Sequence, residues 1–101
     1  MNVSSDIDEE AQQLTIIIFS DFNFNSYNAF RDAYSNEKYL PYKIIIDLSK
    51  CTMLDSSALG MLLIMKKFLQ KNDGEIEITG ANDVVRNVLN IVHFEKKFSI
   101  R

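Results

Sequence analysis

Asp55-Ser56-Ser57-Ala58-Leu59-Gly60 stands between an apolar run ending near Asp47 and a long apolar pattern that begins near Ala58. The stretch therefore opens a helix that follows a strand. A helix N-terminus leaves backbone N–H groups without partners and carries the positive end of the peptide dipoles, so it is a preformed anion site. Two hydroxyls there read in two ways. Asp and Ser are preferred N-caps that satisfy the orphan donors, and a serine at this place is also a fit acceptor for a phosphoryl group.

The helical arc separates the two serines. At about 100° per residue, with Ala58 as the origin, Met61, Leu62, Met65, Phe68 and Leu69 fall within roughly 80° of it and form the core face. Gly60, Lys67, Gln70 and Lys71 lie opposite. Ser56 extrapolates to about 160°, on the polar arc, and Ser57 to about 260°, nearer the core boundary. Ser56 is thus expected to be the more exposed hydroxyl. Leu59, Leu63 and Ile64 flank the polar arc. They read either as a partner surface beside a modifiable hydroxyl or as a second buried face of the helix.

The string from Asp47 to Phe94, DLSKCTMLDSSALGMLLIMKKFLQKNDGEIEITGANDVVRNVLNIVHF, resembles the central and C-terminal part of a STAS domain, the fold of bacterial anti-sigma factor antagonists. In that family a strand and short loop lead to D-S-[ST]-G-L-G at a helix start, and the first Ser of the motif is phosphorylated by a partner serine kinase. The resemblance covers nearly the whole chain and places that acceptor at Ser56, with Ser57 as the alternative. It implies a single domain over residues 1–101 with a mixed sheet of four to five strands packed against three or so helices. Its implied partners are a serine kinase of the anti-sigma factor type and a serine phosphatase, the kinase supplying ATP and Mg²⁺. Single-domain members also act in control of biofilm polysaccharide, and this chain is similar to that SypA-like type.

Ala58 replaces the usual Gly of the motif, a change that favours a helix. Ser20-Asp21-Phe22-Asn23 stands where antagonists have Gly-Glu-Leu-Asp, so Asn23 replaces an acidic residue that in the family sits beside the phosphorylated Ser.

Composition fits a small regulatory domain. The 101 residues, 47% hydrophobic and 25% charged, supply one core. A net charge of −3 disfavours nucleic acid as the main partner, and Lys66, Lys67, Lys71, Lys96 and Lys97 are too dispersed along the sequence to read as one basic patch. The longest apolar run, Leu14 to Phe19, is far short of a membrane span, and no basic-apolar leader opens the sequence, so a cytoplasmic protein without membrane attachment is expected, monomeric or weakly dimeric. Cys51, the single cysteine, suits a reducing compartment and reads as a small semi-buried residue.

Along the chain, Val3 to Ile7 is weakly strand-like, Glu9 to Gln13 a polar turn and Leu14 to Phe19 a buried strand. Asn23 to Ser26 reads as a loop with capping residues, followed by a helix through Tyr27, Phe30, Ala33 and Tyr34 that Pro41 ends. Lys43 to Leu48 is a second buried strand, Ser57 to Asn72 the central helix and Asp73-Gly74 its exit turn. Glu75 to Thr79 alternates as a half-buried strand, Asn82 or Asp83 caps a helix to about Asn90, and Phe98 to Ile100 is a short strand or turn. Alternating strands and helices imply an α/β sheet with parallel pairs.

In such sheets functional loops gather at the carboxyl ends of strands. Phe19 to Asn23 and Leu48 to Asp55 are expected to be those loops, bringing Asp21 and Asp55 toward Ser56. Both carboxylates read equally as caps. A hydrolase built from Ser56, Asp55 and His93 lacks the G-x-S-x-G elbow, and the sequence holds no P-loop, dinucleotide fingerprint or metal-ligand spacing. A non-enzymatic, cofactor-free switch is therefore expected. Its partner surface is Leu59, Gly60, Leu63, Ile64 and Lys67, and a small-ligand or nucleotide sensor using the Ser56 helix terminus is the alternative.

Overall fold

The structure, a computed structural model, describes residues 2–69 and 76–101. Five strands form one sheet in the order β1-β2-β3-β4-β5: β1 Val3–Asp8, β2 Gln13–Phe22, β3 Lys43–Leu54, β4 Ile76–Thr79 and β5 Ser99–Ile100. β1 runs antiparallel to β2, and the remaining neighbours are parallel. Three helices fill the crossovers: α1 Tyr27–Tyr34, α2 Ser56–Leu69 and α3 Asp83–Ile91. The α/β class and mixed sheet expected from the sequence are present.

Alternation explains the layering. Leu14, Ile16 and Ile18 of β2, Ile44, Ile46 and Leu48 of β3 and Ile78 of β4 are fully buried. Their neighbours Thr15, Ile17, Ile45 and Asp47 are half-buried, because successive strand residues point to opposite faces. α2 lays Ala58, Met61, Leu62, Met65 and Leu69 into this core, and Phe68 meets Tyr34 of α1 edge-to-face at 5.7 Å between centroids. α3 is capped by Asn82, whose Oδ1 accepts the Val85 N–H at 2.8 Å, and buries Val85 and Leu89. Gly80 before it has φ +76°, and a Cβ there would lie 2.9 Å from Ser49, so glycine is required by both conformation and space.

Two strands extend further than the apolar runs announce. Ser20, Asp21 and Phe22 belong to β2 rather than to a loop, and β3 continues six residues past Leu48 to Leu54. Register shifts between Ile17 and Phe19 and between Ser20 and Asp21 let the ladder resume, pairing Asp21 with Met53 and Phe22 with Leu54. The extension is anchored by burial of Phe22, Cys51 and Leu54. β4 also departs from its half-buried reading: Glu77 is buried because Lys43 and Arg101 pair with it. The exit turn at Asp73-Gly74 and the last expected turn of the central helix lie outside the described residues.

Candidate functional site at the start of α2

Asp55, rather than a serine, caps α2. Its Oδ1 accepts the Ala58 N–H at 3.0 Å, its carbonyl accepts the Leu59 N–H at 3.2 Å, and its own N–H donates to the Phe22 carbonyl at 3.3 Å. The helix therefore begins one residue earlier than expected, with Ser56 in its first position. Because the cap is supplied by Asp55, the Ser56 hydroxyl makes no hydrogen bond among the described residues and is exposed. Ser57 is half-buried, the order that the helical arc predicts. A carboxylate at the cap and N–H groups of the first turn set the local field, attractive toward an anion from the helix and repulsive from Asp55.

Asp21 and Asn23 are far from Ser56 in sequence and stand at the end of β2 that pairs with the end of β3 just before α2, but they spend their hydrogen bonds elsewhere. The Thr52 hydroxyl donates to Asp21 Oδ1 at 2.8 Å, and the Asn2 amide donates to the Asp21 carbonyl at 2.6 Å. Asn23 Oδ1 accepts the Asn25 N–H at 2.9 Å, while the Asn23 N–H donates to Ser26 Oγ at 3.4 Å. Asn23 is thus the cap of the 3-10 turn Phe24–Ser26. The expected approach of carboxylates to Ser56 is realised through Asp55 along the chain, whereas Asp21 holds the ends of β2 and β3 together.

Ser56 heads an exposed helical stripe. Gly60, Leu63, Ile64 and Lys67 follow at helical spacing; Leu63 is 39% and Ile64 53% exposed. The reading in which Leu63 and Ile64 form a second buried face is thereby overturned, while Leu59 is half-buried against the core. A Cβ on Gly60 would meet nothing within 4 Å. Glu37, Leu40, Ile64, Lys67 and Phe68 line an open cavity of about 530 Å³ beside the stripe.

Two further exposed apolar residues were not marked by the sequence. Phe24, 70% exposed, stands at the 3-10 turn after β2, and Met53, 54% exposed, near the end of β3. Phe24 stands between Asn23 and Asn25, and Met53 between Thr52 and the buried Leu54, so no periodicity marks either as exposed. Elsewhere, Cys51 is buried, its thiol donates to the Met53 carbonyl at 3.3 Å, and burial raises its pKa. His93 is exposed, has φ +58° and lies 3.4 Å from Glu95, remote in sequence from Ser56 and Asp55. Among the described residues no group of three or more His, Cys, Asp or Glu is placed to hold a metal, and no helix is long and apolar enough to cross a membrane.

The pattern of the STAS domain family matches residues 3–101. A STAS-domain containing protein of Pseudomonas aeruginosa (strain UCBPP-PA14) is 38% identical over 91 residues, 90% of each chain. Among solved structures, a Thermotoga maritima protein superimposes with a TM-score of 0.83 at 20% identity, over 97% of this chain and 84% of the other. The anti-sigma factor antagonist SpoIIAA in its unphosphorylated form gives 0.77 at 16% identity, over 98% and 86%. The phosphorylated form of this Bacillus cell fate determinant gives 0.74 at 15%, over 98% and 90%. At those identities the structural matches show a shared fold. The family pattern and the Pseudomonas relative carry the classification: this chain belongs to the STAS domain family.

Proposed function

We propose that the protein is a phosphorylation-controlled partner switch of the anti-sigma factor antagonist type, with Ser56 as the residue that a partner serine kinase modifies and a partner phosphatase restores. The observation that carries this reading is the free, exposed Ser56 hydroxyl at the first position of α2, heading a stripe that includes the exposed Leu63 and Ile64. The availability in two forms of SpoIIAA, phosphorylated and unphosphorylated, on the same fold supports it. The reading is of a binding module without catalytic residues or cofactor, acting in bacterial signalling such as biofilm polysaccharide control.

The mechanism follows from charge and desolvation. Phosphorylation adds roughly two negative charges at pH 7. The first-turn N–H groups accommodate that charge while the site is open to water. A partner covering the stripe with Leu63 and Ile64 would have to desolvate it beside the Asp55 carboxylate, so affinity falls. The test is calorimetry of wild type, Ser56→Ala and Ser56→Asp against the partner kinase captured from the native host. Retained binding by Ser56→Ala and weakened binding by Ser56→Asp are expected, and equal affinity for all three contradicts the switch.

A further inference from the structure

Four cations from three separate parts of the sequence meet at the end of the fold opposite Ser56. Lys43 opens β3, Lys66 lies in the last turn of α2, Lys97 follows the 3-10 turn Phe94–Lys96, and Arg101 follows β5. Together with Glu77 and Ser99 they line a cavity of about 430 Å³. Of the five lysines that the sequence reading judged too dispersed for one basic patch, Lys66 and Lys97 line this cavity and Lys67 lines another; Lys43 and Arg101 join them because the parallel topology brings the starts of β3 and β4 together beside the end of α2.

The charges of the described side chains that line this cavity do not balance. Glu77 is buried, with Oε2 3.2 Å from Lys43 Nζ and Oε1 paired with Arg101. Among the described residues, one side-chain carboxylate faces four cationic side chains, a lining charge of +3 in a chain whose net charge is −3. Lys66 and Lys97 form no ion pair among the described residues. Convergent like charges repel and weaken the fold unless an anion offsets them. The site is concave and has a volume within the usual small-ligand range, which suits a compact anion better than a flat polyanion surface.

We propose that this cavity binds a small, multiply charged phosphate ligand, of the class of pyrophosphate or the phosphate tail of a nucleotide. Lys66 and Lys97 are its free donors, Ser99 supplies a hydroxyl, and Glu77 holds Lys43 and Arg101 in place at the rim. The site is separate from Ser56, because the ten helical steps from Ser56 to Lys66 span about 15 Å.

The test is calorimetric titration of the full chain carrying Ser56→Ala with inorganic pyrophosphate and with ATP at low salt, accompanied by amide chemical-shift mapping. The Ser56→Ala background keeps the result independent of the switch. Binding is expected to move the signals of Lys97, Ser99 and Arg101 and to weaken with added salt. The double variant Lys66→Gln/Lys97→Gln, which leaves the Glu77 pairs intact, should lose about tenfold in affinity per lysine. Lys50→Gln, outside the cavity, should bind as before. Absence of heat with both ligands, unchanged affinity in the double variant, or shifts confined to Asp55 through Ala58 would overturn the assignment. So would sedimentation with vesicles of anionic phospholipid when pyrophosphate gives no heat, since the phosphate would then be a membrane headgroup.

Discussion

The Thr52 hydroxyl donates to the Asp21 carboxylate across 2.8 Å, joining β2 and β3 just before α2 begins. The Asp55 N–H on the Phe22 carbonyl adds a second tie at the same end. The start of α2, and with it the placement of Ser56, is therefore set by strand pairing and by the Asp55 cap. Asp21→Ala should leave stability within about 1 kcal/mol of wild type, the scale of one hydrogen bond, yet, on the proposed function, slow phosphorylation of Ser56 by the proposed partner kinase. An unchanged phosphorylation rate in the folded variant would detach Asp21 from the site.

Removing the cap and removing the hydroxyl should differ. Asp55→Ala is expected to cost about 0.5–2 kcal/mol in urea unfolding because it frees the Ala58 N–H. Ser56→Ala, which breaks no hydrogen bond among the described residues, should cost less than Asp55→Ala and keep the same fold by circular dichroism. A larger loss for Ser56→Ala would make Ser56 chiefly structural.

Gly60 is the variant that separates stability from binding. Glycine inside a helix is about 1 kcal/mol worse than alanine, and the space beside Gly60 is open. Gly60→Ala should raise the melting temperature while reducing partner affinity if the partner approaches the helix backbone there. A stabilised protein with unchanged affinity would limit the interface to other residues of the stripe.

Deep positions of the same helix behave oppositely. Leu62, fully buried, and Leu69, 1% exposed, fill the core under the sheet. Leu62→Ala or Leu69→Ala should destabilise by about 2–5 kcal/mol through lost transfer energy and a residual cavity, measurable as a shift in urea midpoint without a change in slope.

Legibility from sequence followed the strength of the physical signal. The triple isoleucine runs of β2 and β3 and the apolar arc of α2 were readable because burial imposes alternation or helical spacing, and Asn82 was readable as a cap from chemistry alone. The polar ends of both strands were not, since Ser20, Asp21, Ser49 and Lys50 interrupt the apolar pattern while the ladder continues through register shifts. Ser56 was marked by its place in the motif, whereas nothing in the sequence marked the exposure of Phe24 and Met53. Glu77 was hidden because its partners Lys43 and Arg101 are brought to it by the sheet.

Acid stability should depend on the Tyr42 and Glu9 contact. The Tyr42 hydroxyl donates to Glu9 Oε2 at 2.8 Å and, with help from the charge of Lys38 and against burial, holds the Glu9 carboxyl below its ordinary value of 4.5. A depressed folded pKa contributes stability above the unfolded value that is lost as pH falls through the folded one. Tyr42→Phe should therefore lower stability at neutral pH and flatten its loss below pH 4.5. A parallel pH profile for the two proteins would contradict that linkage.

The most direct measurement is intact-mass analysis and site mapping of the chain recovered from its native host. The account predicts a population carrying one added phosphoryl group, located on Ser56 and absent from Ser57. Phosphate found on Ser57 alone, or no phosphate on either serine across growth conditions, would contradict the central claim that the free hydroxyl at the head of α2 is the switch.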